Sequence, residues 1–172
     1  MKKPVILCAL FLVVCGLASA DPATRLRADA EWMCQAVVKV DADAIVQHTY
    51  PGLVEKIGGP AAMKDVVVAG QAELEKSGLK VVSNEITSIS EPVQAGAELH
   101  AVVRTKRVVR GRTGRQVLHS YVIAVSRDEG ENWTFVDGQK LKPQHVMALF
   151  PDFNVDLVLP GPSEPVFERD TN

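Results

Sequence analysis

Cysteine is scarce in this chain: three residues, at positions 8, 15 and 34. Two of them lie in a leader-like stretch, so a mature chain keeps only Cys34 and can form no internal disulfide. Aromatic residues make up 5% of the sequence and none interleave with its basic residues, so a stacking platform for single-stranded nucleic acid is not expected. The formal charge of −2 lacks the basic excess of a general nucleic-acid binder. Gly (12) and Pro (10) are at ordinary levels, which excludes collagen-like and globally low-complexity readings. After residue 17 no apolar run approaches the roughly 20 residues needed to span a membrane. No G-x-S-x-G is present, the four histidines form no H-x-x-x-H pair, and Gly58-Gly59-Pro60 is too short to cradle a phosphate. Neither a metal nor a cofactor is expected.

The first twenty residues read as a secretory signal peptide. Lys2 and Lys3 precede an apolar run from Val5 to Leu17, and Ala18-Ser19-Ala20 is a small-residue exit. Cleavage after Ala20 leaves 152 of the 172 residues, with 17 basic against 21 acidic and a formal charge of −4. The expected location is exported, periplasmic or secreted. Cys34 then reads as a buried, inert thiol.

Asp21-Pro22 signals a helix start, and Leu26, Ala30, Met33, Val37 and Val38 recur at three- and four-residue steps on one face. Asp41 predicts a second short helix feeding Ala44, Ile45 and Val46 to the core. Tyr50-Pro51-Gly52 breaks it, and Leu53, Val54 and Ile57 form a short continuation ended by Gly58-Gly59. Pro60 opens a helix whose Met63, Val66, Val67 and Leu74 are expected inward, with Gly78 as its stop. The pattern then turns to strands: 79–90, 98–110, 115–126 and 132–137, joined by short turns and so antiparallel. Pro143 precedes a short helix over 146–150, and 155–159 reads as a docked extended piece. The tail, 160–172, carries Pro160, Pro162 and Pro165 and reads as loose. Helices first and a sheet afterwards predict one α+β domain over 21–159.

Asp41-Ala42-Asp43-Ala44 before Tyr50-Pro51, then Gly58-Gly59, a helix, Gly78 and the meander: in that order these features resemble the nuclear transport factor 2-like superfamily. The phrase from Ile123 to Val136 resembles uncharacterised exported bacterial members, and the likeness spans Ala23 to Leu159. It implies N-terminal helices packed in the concave face of a strongly curved antiparallel sheet, a cone that can enclose a cavity. That superfamily holds isomerases, dehydratases and cyclases beside non-catalytic binding and dimerising modules, so the fold alone names no activity.

Three readings of function follow. The first is a non-catalytic domain binding a small apolar ligand or a partner segment, a homodimer through its outer sheet face, with Tyr50, Tyr121 and Trp133 toward the ligand. The second is an acid–base enzyme of isomerase, dehydratase or cyclase type using Asp43, His48, Tyr50 and Asp137, where a carboxylate base needs a phenol to steady an enolate. The third is an envelope-associated module whose hairpin arginines Arg107, Arg110 and Arg112 hold an anionic partner. Ser126 to Trp133 fits S-x-D-x-G-x-x-W and reads as a hairpin turn. Asp128 should bond backbone amides there, Gly130 should supply a positive φ, and Trp133 should pack beneath.

Overall fold

Proline placement divides the helical half of the molecule. A computed structural model describes residues 21–139 and 141–170, and the expected signal peptide lies outside them. Helix α1 spans Pro22–Lys39, α2 Ala42–Gln47, α3 Pro51–Ile57 and α4 Pro60–Lys76, with α5 over Pro143–Leu149 near the other end. Four of the five carry proline in the first turn, where its missing N–H removes no helical hydrogen bond. In α2 the Asp41 carboxylate accepts the Ala44 N–H at 3.0 Å, the ordinary N-cap arrangement.

Beyond Gly78 the Val- and Ile-rich segments form six strands: β1 (Lys80–Ile89), β2 (Val93–Ala95), β3 (Glu98–Arg110), β4 (Gly114–Ser126), β5 (Thr134–Asp137) and β6 (Val166–Arg169). All pair antiparallel in the order β1-β3-β4-β5, with β2 also on β3 and β6 on β4. The sheet is open. The long β3–β4 ladder sets Val103 opposite Val122 and Val102 opposite Ile123, so alternate residues go to opposite faces.

Both faces are covered. On one, Leu26 and Ala30 of α1 pack on Ala101, Val103, Ala124, Trp133 and Phe135. On the other, Val146 of α5, Phe150 and Leu157 pack on Val102, Tyr121, Ile123, Val125 and Val136, joined by Tyr50. The alternation therefore produces two small cores about one sheet. The α+β class follows the sequence pattern, as do the starts of α1, α2 and α4; α3 begins at Pro51, inside the segment expected as a break.

Several expectations change. Helix α4 buries no residue, and Val66 is 53% exposed; α4 packs mainly against α2 and α3. Residues 155–157 form turns where an extended piece was expected. The tail carries β6, annealed to the β4 edge. The sheet face away from α1 carries α5 and the segment after it. Within the described residues, no helix is long and apolar enough to cross a membrane.

Candidate functional site

Helix α1 and the strands beneath it meet incompletely. Ala30, Met33, Cys34 and Val37 repeat at helical spacing and form a roof; Val103, Thr105 and Arg107, alternate residues of β3, form a floor. Ile45, Leu53 and Met63, one from each following helix, close one side. The space is about 180 Å³, partly open, with a mainly apolar lining.

Two polar groups of this cavity, Asn84 and Arg107, stand at one end. Asn84 of β1 and Arg107 of β3 are direct register partners, so both side chains leave the sheet on the same face. Asn84 Oδ1 and Arg107 Nε are buried and have no hydrogen-bond partner. A donor and an acceptor left unmet side by side are costly in a protein interior, and each cost is removed when a ligand supplies the complementary atoms. Cys34 lines the same space. Burial pushes its thiol up to about 11, the nearby Arg107 pulling in the opposite sense. The thiol thus stays protonated at neutral pH, which suits an apolar wall and not a nucleophile.

The residues expected to form a site are distributed over several places. Asp43 lies on the outside of α2, its carboxylate 79% exposed and paired with Lys64 at 2.6 Å. His48 ends α2 and stacks on Trp32, ring centroids 4.1 Å apart. Asp137 lines the cavity from β5, where it accepts the Gln139 N–H at 2.9 Å. Tyr50 belongs to the core on the opposite face of the sheet. These four do not converge, because the chain changes sheet face between His48 and Tyr50.

The expected ligand residues also part company. Trp133 is 1% exposed, packed in the α1 core with its Nε1–H donated to Gly130 O at 3.2 Å. It is the floor of a turn, as the S-x-D-x-G-x-x-W pattern implies, and does not line the cavity. Gly130 has φ +89°, and Asp128 accepts the Asn132 N–H at 2.9 Å. Tyr121 shares the core of Tyr50 and also lines an open groove beside Gln139 and Leu159, on the sheet face away from the α1 cavity. Of the basic set, Arg107 points beneath α1 while Arg110 reaches outward to Asp170 at 2.6 Å and Arg112 is exposed. Strand alternation separates Arg107 from the other two, and the three form no common finger.

A second polar cluster was not anticipated. Tyr50 Oη donates to Glu98 Oε1 at 3.1 Å, and His100 Nε2 lies 3.1 Å from Glu98 Oε2. Burial raises the Tyr50 pKa, and the Glu98 carboxylate adds to the rise. A shallow space of about 200 Å³ adjoins the cluster. Glu98 and His100 sit two apart on β3, so the sequence did place them on one face; their union with Tyr50 needed the tertiary fold. Asn84 carried no signal beyond a polar residue inside a strand.

No family model matches the sequence, and no curated protein matches it. Among solved structures, a SEC-C motif containing protein from Psychrobacter arcticus is similar, with a TM-score of 0.45 and 17% identity over 73% of this chain. This chain spans 66% of that protein, just under two thirds of its length. The expected membership of the nuclear transport factor 2-like superfamily is therefore corrected. The structural neighbour is a SEC-C motif containing protein, the sheet is open, and the ordered Asp, Tyr-Pro and Gly features mark caps and turns in this fold.

Proposed function

We propose that the mature chain is an exported, non-catalytic domain that binds a small, largely apolar molecule in the cavity under α1, with a carboxamide of that molecule accepting from Arg107 Nε and donating to Asn84 Oδ1. Export rests on residues 1–20. The observation that carries the binding reading is the unmet donor–acceptor pair at one end of a mainly apolar cavity. Dry cavities of about 150 Å³ accept benzene, so a 180 Å³ space suits a single ring or a short branched amide. A carboxamide carries both an acceptor for Arg107 Nε and a donor for Asn84 Oδ1, whereas a carboxylate only accepts. Asp137, the acid on the cavity wall, stands two strands across the sheet and at a different level, leaving the Arg107 end electropositive.

The test is thermal denaturation of the mature protein with benzoate, benzamide and toluene. At ten times its Kd a ligand adds about 1.4 kcal/mol, or about 3–5 °C in a chain of this size. Benzamide is expected to raise the melting temperature of the wild type more than benzoate, and Arg107→Met to abolish that rise while keeping any response to toluene. No response to any of the three would end the cavity reading. A toluene response without a benzamide response would end the carboxamide assignment alone. Native mass spectrometry of protein from its own host would then give the mass of the natural occupant.

A further inference from the structure

The tail strand β6 has an unusual relation to the rest of the molecule. All four of its residues are exposed, Val166 at 55% and Phe167 at 51%, and none belongs to either core. It is held by four register pairs with the β4 edge, from Gly114 opposite Arg169 to Val117 opposite Val166. A spacer bearing Pro160, Pro162 and Pro165, with no helix or strand of its own, links it to the domain. Prolines make such a spacer stiff and extended, able to present a strand without packing it.

The edge that receives it is shaped for an acidic strand. Arg110 and Arg115 are direct register partners across the β3–β4 hairpin, and like charges in that position repel. The repulsion is relieved by the tail: Arg110 Nη1 donates to Asp170 Oδ1 at 2.6 Å, and Arg115 Nε donates to Glu168 Oε2 at 2.5 Å. Glu168 and Asp170, two residues apart, lie on one side of an extended chain. Gly114 permits the close approach, because a Cβ there would collide with the Glu168 carbonyl and the Arg169 backbone.

We propose that the β4 edge at Gly114–Val117, with Arg110 and Arg115, is a docking site for an extended segment of another protein that carries two carboxylates two residues apart, and that β6 occupies this site in cis as a displaceable cover. Backbone pairing to the edge supplies affinity and the two arginines select for the acids, as in other strand-addition sites. A cover of this kind also shields an unpaired edge from aggregation until the partner arrives.

The experiment uses the whole mature chain. Glu168→Arg with Asp170→Arg should release the tail, since β6 adds nothing to either core. A fluorescent peptide with the sequence of residues 164–172 is then titrated into both proteins. Two exposed ion pairs contribute about 1.4 kcal/mol together, so the tail-reversed protein should bind the peptide about tenfold more tightly than the wild type. That binding should weaken with salt. Arg110→Glu with Arg115→Glu should abolish it, and a peptide carrying both tail reversals should bind that variant, which shows that the hairpin still folds. Equal binding to wild type and tail-reversed protein, or failure of the charge-swapped pair, would overturn the proposal. So would a wild-type dimer that becomes monomeric on tail reversal, which would assign the edge to a second copy. Capture of inorganic polyphosphate without capture of the peptide would overturn it by making the arginines a simple anion patch.

Discussion

Val40 ends α1 with φ 58° and ψ 37°, a left-handed conformation that a β-branched side chain tolerates poorly. The turn nevertheless forms, because the Val40 N–H reaches back to the last helical carbonyls and Asp41 N–H bonds Ala36 O at 3.0 Å. Val40→Gly removes strain of about 1 kcal/mol while losing only a half-buried side chain. The expected result is an unchanged or higher melting temperature; a clear fall would show that Val40 packing outweighs its backbone cost. The same scale explains why Cys34 was legible. An apolar helix face predicts a buried thiol, and burial is the first cause of its raised pKa.

Close approach decides the junction between β5 and the segment leading to α5. Gly138 donates its N–H to Tyr121 O at 3.0 Å, and a Cβ at Gly138 would fall on the Tyr121 ring. Gly138→Ala should therefore cost about 1–3 kcal/mol, read as a lower urea midpoint. Tyr121→Leu should reduce that penalty in the double variant; an undiminished penalty would locate the strain in the backbone. Helix α4 illustrates the opposite case. Its apolar residues recur as a core-facing helix should, yet it buries none; it packs mainly on α2 and α3. Periodicity marks a helix face but not what covers it.

Three groups tie the stability of the whole molecule to alkaline pH. Burial raises the pKa of Cys34, of Tyr50 (with Glu98 adding) and of Tyr121 (with Asp137 adding). Between about 9, where an ordinary thiol ionises, and about 11, where Cys34 does, the unfolded chain has released a proton that the folded chain keeps. The unfolded state then binds fewer protons, so stability falls as pH rises through that window. The two tyrosines act in the same direction from about pH 10 upward. The melting temperature should decline from pH 9 to pH 11, and Cys34→Ala should flatten the early part of the decline. A decline of equal slope in Cys34→Ala would place the effect on the tyrosines alone.

Local chemistry was readable from the residues themselves. Proline after an N-cap starts a helix, Val- and Ile-rich alternation makes a strand, and Asp128, Gly130 and Trp133 make one turn, because each depends on neighbours within a few positions. The same alternation placed Arg107 opposite Arg104, Lys106 and Arg110 on β3, which is why Arg107 ends beneath α1. Tertiary packing decided what no spacing could express. It set Asn84 beside Arg107 across two strands, carried Tyr50 to the far face with Glu98 and His100, and folded the tail onto β4. Those outcomes depend on which elements meet over long sequence separations, and the energy of such a meeting belongs to pairs of surfaces that exist only once the chain has folded.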